Sequence, residues 1–98
     1  MTAELGNVGT RVILENERVR VWEMVLEPGE SSALHRHTLD YALCIVEGTS
    51  IDADHPDGTT RHGSVWPGQV FFLKRGGIER AVNRGATRFR EILIELKD

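Results

Sequence analysis

An all-β sandwich or barrel is the fold class this sequence predicts, and three observations carry that reading. Turn signals recur every eight to twelve residues along the chain. The runs between them are short and rich in β-branched and aromatic residues, the composition that fits a pleated, half-buried surface. No long segment keeps a 3.6-residue apolar period free of glycine or proline, so helices should be few.

The elements follow from the punctuation. Asn16-Glu17 separates a strand over Thr10–Glu15 from one over Arg18–Leu26, which Pro28-Gly29 ends. Ser32–His37 and Tyr41–Glu47 come next, closed by Gly48. Thr49–His55 and Thr59–Trp66 flank Pro56-Asp57-Gly58, where proline presets φ and Asp-Gly supplies the left-handed conformations of a tight hairpin. Pro67-Gly68 precedes Gln69–Lys74, Gly76-Gly77 precedes Glu79–Asn83, and Asn83-Arg84-Gly85 precedes the last strand, Arg88–Leu96. That strand contains Ile92-Leu93-Ile94, and Val19–Leu26 also loses strict alternation, so both should be apolar on two faces. An apolar outer face is commonly covered by a second subunit, and a homodimer is the expected assembly. Trp22, Trp66, Phe71, Phe72 and Phe89 should build most of the core, with one or two at the barrel mouth. Met1–Gly9, with two glycines, should be loosely anchored.

The totals set bounds. Ninety-eight residues make one domain, 1–98, with its core over 10–96. With 40% apolar and 28% charged residues the chain is neither disordered nor membrane-spanning. Net charge is −3, and twelve Lys and Arg are interleaved with fifteen acids, which argues against a nucleic-acid partner. Arg84, Arg88 and Arg90 read as surface charge beside the acidic partners Glu91 and Glu95. The single cysteine, Cys44, fits a reducing compartment and, within an apolar strand, a buried inert thiol. Met1–Gly6 shows no basic start or apolar stretch of a signal peptide, so the expected location is the cytoplasm.

Chemistry concentrates between Gly29 and Gly48, where His35 and His37 lie at strand spacing. Side chains two apart on a strand share a face, with Cα atoms about 6–7 Å apart. Two imidazoles held that way can converge on one metal ion. Tyr41 shares their parity and should also point inward. A phenol is a poor ligand when neutral but can donate a hydrogen bond to a bound water or substrate oxygen. His55 and His62 read as surface or structural histidines, and no nucleophile elbow or phosphate-cradling loop is present.

Two glycine-framed blocks carry a family resemblance. The first runs Gly29, five residues, His35, one, His37, three, Tyr41, six, Gly48. The second runs Gly68, five residues, Lys74, one, Gly76, two, Glu79, three, Asn83. Together they resemble the two motifs of the cupin superfamily over residues 18 to 96, with every glycine, both first-motif histidines and Asn83 at the family's positions. The ending Phe89–Lys97 is similar to small single-domain cupins found near β-alanine degradation genes, a likeness that brings no reaction with it. The resemblance implies a double-stranded β-helix, or jelly-roll barrel. It also implies a metal site, but with substituted ligands: Tyr41 stands where the first motif has glutamate, Glu79 where the second has histidine, and Lys74 where it has proline.

The remaining set, His35, His37 and Glu79, resembles the two-histidine, one-carboxylate arrangement of non-haem Fe(II) sites and would also serve zinc, manganese or nickel. In this reading Glu79 keeps the ion bound or serves as a base, and Tyr41 orients a water or substrate oxygen. Asp40 would replace the missing glutamate only if a bulge turned it inward. The ligand expected is a small organic acid or carbonyl compound. The alternative is a metal-free module that binds or senses a small molecule without turnover, its imidazoles satisfied by Glu79 and Tyr41.

Overall fold

The computed structural model describes residues 5–98 and contains nine strands, with no helix among the described residues. They are β1 (Arg11–Glu15), β2 (Val19–Leu26), β3 (His35–Arg36), β4 (Tyr41–Glu47), β5 (Ser50–Asp54), β6 (Thr60–Ser64), β7 (Val70–Leu73), β8 (Ile78–Val82) and β9 (Phe89–Leu96). No helix there is long and apolar enough to cross a membrane. The strands form two antiparallel sheets, β1-β2-β9-β4-β7 and β3-β8-β5-β6. This is the all-β architecture that the turn rhythm predicts and the jelly roll that the cupin resemblance implies.

β9 lies at the centre of the larger sheet and pairs with β2 over eight residues, from Val19↔Leu96 to Leu26↔Phe89. Its inward side chains, Phe89 and Leu93, sit in two apolar clusters. One gathers Met24, Leu26, Ile45, Val65 and Phe89, the other Val8, Trp22, Tyr41 and Leu93. Gly48 turns the chain from β4 into β5 at φ +122°, and a Cβ there would lie 3.1 Å from the Phe89 ring and 3.2 Å from its backbone. Only glycine meets both demands at low cost.

Three expectations are corrected. The third strand, expected over Ser32–His37, keeps regular pairing only at His35–Arg36. Ser32 Oγ accepts from the Ala81 amide at 3.0 Å and donates to the Ala33 carbonyl at 2.9 Å, replacing a ladder bond with a side-chain one. Trp66, Phe71 and Phe72, expected in the core, are exposed, Phe71 the least of the three. Trp66 lies in the turn before β7, and Phe72 faces outward because its neighbours Phe71 and Leu73 take the inward positions opposite Leu43 and Tyr41. Of the segment expected to be loosely anchored, Met1–Glu4 lie outside the described residues. The rest is held: the Gly6 amide donates to the Leu34 carbonyl at 2.8 Å, and Val8 is buried.

Candidate metal centre

Register sets the site. His35 on β3 lies directly opposite Glu79 on β8, so both side chains leave the smaller sheet on one face. His37, two residues on, shares that face. Its backbone is held from both sides, the amide donating to the Gly77 carbonyl at 2.9 Å and the carbonyl accepting from the Gly76 amide at 2.7 Å. One donor atom from each of His35, His37 and Glu79 lies within 4.8 Å of the others. Both histidines are 2% exposed, and Glu79 is half-buried.

Each group is in a defined state. His35 Nδ1 lies 2.8 Å from the Ala33 carbonyl, which only accepts, so Nδ1 carries the proton and the Nε2 lone pair is left free. Burial pulls the His35 imidazole below its ordinary pKa and keeps it neutral. Glu79 is held below the usual carboxylate range by the adjacent His37 ring, against the cost of its own burial. His37 Nε2 is 3.3 Å from Glu79 Oε1, and its Nδ1 is buried with no partner. A separation of 3.3 Å is long for a hydrogen bond. Two donors each about 2.1 Å from one cation at tetrahedral or octahedral angles lie roughly 3–3.5 Å apart. The neutral His35 imidazole with its free Nε2, the His37 Nε2 and the anionic Glu79 carboxylate are a donor set that fits a divalent ion.

Tyr41 is buried and points inward, but it does not reach toward the centre as a ligand. Its ring stacks flat on His37, centroids 3.9 Å apart and planes 12° off parallel. Burial first, then the acidic neighbours Glu79 and Glu91, push the phenol well above its ordinary pKa, so it stays a hydrogen-bond donor. Asp40 is not turned inward: it accepts from the Arg75 amide at 3.0 Å and Nε at 3.1 Å, and Lys74 Nζ lies 3.8 Å away. Among the described residues no other carboxylate joins His35, His37 and Glu79 in place of the first-motif glutamate.

The other sequence candidates separate from the centre. His62 lies on the outer face of the smaller sheet, Nδ1 2.5 Å from Asp52 Oδ1. His55, expected to be exposed, is half-buried, with Nδ1 3.4 Å from the Ile78 carbonyl. Cys44, expected to be buried, is half-buried on the outer face between Ile92 and Val70.

A cavity of about 320 Å³ opens from the centre between the sheets, within the range of small-ligand sites. Its walls include Met24, Ile45, Ile51 and Leu93, and among them Glu91. Sequence reasoning missed this acid. It paired Glu91 and Glu95 with the arginines Arg84, Arg88 and Arg90, but these bind other acids: Asp52 and Asp54, Glu27 and Glu47, and Glu23 respectively. Strict alternation from Phe89 and Leu93 is the signal that places Glu91 inward.

No protein-family model matches the chain. It is 29% identical over 86 residues to the beta-alanine degradation protein BauB of Pseudomonas aeruginosa, across 88% of this chain and 90% of that one. A cupin domain from Bordetella pertussis Tohama I is similar over the whole of both chains, with a TM-score of 0.83 and 26% identity. A cupin superfamily protein from Desulfitobacterium hafniense DCB-2 is similar at TM-score 0.68 and 20% identity, over 100% of this chain and 84% of that one. The polyketide cyclase RemF from Streptomyces resistomycificus reaches TM-score 0.68 and 22% identity, over 90% of this chain and 63% of the cyclase. The last two likenesses are of fold alone.

Proposed function

We propose that the chain is a small cupin domain in which His35, His37 and Glu79 hold a divalent metal ion, iron, manganese, zinc or nickel, in a pocket that binds or acts on a small organic acid or carbonyl compound. The observation that carries the reading is the convergence of the three donors, with a free Nε2 on His35 and His37 Nε2 3.3 Å from Glu79 Oε1. When bound, such an ion supplies Lewis-acid polarisation of a ligand oxygen. The chain's own residues do the rest. Ala33 fixes the His35 tautomer through its carbonyl, Tyr41 holds the His37 plane by stacking, and the Tyr41 hydroxyl, with no hydrogen-bond partner among the described residues, is free to donate to a ligand oxygen.

Elemental analysis of freshly purified protein tests the reading, together with thermal midpoints after addition of Fe(II), Mn(II), Zn(II) or Ni(II). A bound ion near one per chain and a raised midpoint are expected. Protein that retains no metal and does not respond to any of the four ions refutes it. A metal-free binding module is the second reading. It is favoured by the position of Tyr41, which leaves three donors where the family pattern has four. Ligand binding that survives strong chelators, and survives alanine at both His35 and His37, would establish it.

A homodimer is part of the proposal. Across the outer face of the larger sheet, Leu14, Val21, Ile94, Ala42 and Phe72 stand in one cross-strand row, apolar from edge to edge. Leu14 and Phe72 are more than half exposed. Such a face fits a second copy of the same sheet. The free thiol of Cys44 fits a cytoplasmic location.

A further inference from the structure

Glu91 is the one pocket acid that no ion pair or hydrogen bond among the described residues explains. It is 5% exposed, lines the cavity, and lies between Met24 on β2 and Ile45 on β4 in the cross-strand register. Its own strand places Phe89 and Leu93 on either side of it on the inward face. A carboxyl walled by apolar side chains is costly, and native proteins satisfy buried polar groups almost without exception. Here the partner the carboxyl lacks is one that enters the cavity.

We propose that Glu91 is a ligand-binding and specificity residue, a carboxylic acid that donates its hydrogen to a hydroxyl or carbonyl oxygen of a small molecule whose other end lies at His35, His37 and Glu79. Burial pushes the Glu91 carboxyl up to about 8, with the charge of Glu79 adding to the effect, so the hydrogen it donates is present at neutral pH. The two ends of the pocket define the ligand class. The histidine end takes an anionic or chelating oxygen group. The Glu91 end takes one neutral oxygen on a short, otherwise apolar carbon skeleton. Small hydroxy acids and oxo acids have that pattern, and simple fatty acids lack the second oxygen. The proposal deepens the metal-centre reading and rests on it for the ligand's anionic end, whereas the hydrogen bond at Glu91 needs no ion.

The test is calorimetric titration of the full chain with butyrate and with the 2-, 3- and 4-hydroxybutyrates, for the wild type, E91Q and E91L. At least one hydroxybutyrate should bind the wild type about tenfold more tightly than butyrate, the worth of one buried hydrogen bond. E91Q, whose amide still donates, should keep the preference, and E91L should lose it. Thermal melting without ligand adds an independent readout: E91L should melt above the wild type, by about 5 °C, because it removes an unpartnered polar group from apolar surroundings. The proposal is overturned if no hydroxybutyrate binds the wild type more tightly than butyrate. It is equally overturned if the preference survives in E91L, or if E91L melts below the wild type. Failure of the metal reading is seen separately, as the absence of bound ion, and leaves the comparison between Glu91 variants readable.

Discussion

Replacing Glu91 with glutamine should flatten the protein's alkaline loss of stability. A glutamate that ordinarily titrates near 4.5 titrates here near 8, because burial disfavours its charged form. Below pH 4.5 native and unfolded chains both hold this proton, and the group contributes no pH dependence. Between 4.5 and 8 the unfolded chain releases the proton while the native chain keeps it, so stability falls as pH rises. Above 8 both states are ionised and the loss levels off. More than three factors of ten in proton affinity correspond to about 4–5 kcal/mol, a large share of the 5–15 kcal/mol typical of a domain. The other ionisable groups around the cavity, Glu79, Tyr41, His35, His37, Asp52, Arg61 and His62, are common to both proteins, as is Glu95 on the same strand, which Arg20 holds. The difference between wild type and E91Q therefore isolates Glu91. Urea unfolding at half-unit steps from pH 4.5 to 9 measures it. Parallel stability curves for the two proteins would refute the argument, because they would mean that the carboxyl ionises in the native pocket as freely as in the unfolded chain.

Alanine at both His35 and His37 should weaken ion binding by about a hundredfold or more, read as metal per chain after dialysis, with the fold retained by circular dichroism. Asn83→Ala should cost about 2–4 kcal/mol in urea unfolding, since the fully buried amide donates to the Leu26 and Thr87 carbonyls, each at 2.9 Å, and accepts from the Gly85 amide at 3.0 Å. Ion content per folded chain should not change in that variant. Ile94→Glu, at the centre of the outer apolar row, should halve the mass seen by sedimentation equilibrium. Glu95→Leu should destabilise by about 3 kcal/mol or more, the opposite sign from E91L, because it strands the Arg20 charge and the Trp22 indole N–H.

Much of the fold is legible in the sequence because the turns announce themselves. Gly29, Gly48, Gly58, Gly68 and Gly76 all adopt positive φ, so the residues read as punctuation are the ones that reverse the chain. The histidine pair is legible for a related reason: spacing of two fixes a shared face, and register does the rest by setting Glu79 opposite His35. Alternation fails where both faces of a strand carry apolar residues. In β9 the run Ile92-Leu93-Ile94 conceals which parity is inward, and the two acids on that parity look like surface charge. The same ambiguity in Val70–Leu73 hides which phenylalanine faces the pocket. Tyr41 was placed inward by parity, but its stacking on His37 depends on a ring orientation that spacing does not encode.

The inversion in β9 bears directly on function. On its inward face the strand carries two glutamates, while two isoleucines face outward, the reverse of what folding stability alone would select. Glu95 shows how this chain treats an acid that serves the structure. Arg20 Nε donates to it at 2.8 Å and Trp22 Nε1 at 2.6 Å, both from the neighbouring strand. Glu91 is four residues earlier on the same face of the same strand, also buried, and receives no donor from the described residues. The chain thus supplies partners to one inward acid and withholds them from the other, and the one left without is the one that lines the cavity. A group kept against a cost of that size is consistent with selection for what it does to a ligand, since apolar residues of similar volume would fill the same place at a gain in stability. The isoleucines displaced to the outer face then add to its apolar row, so a single register choice in β9 furnishes both the pocket acid and the middle of that row.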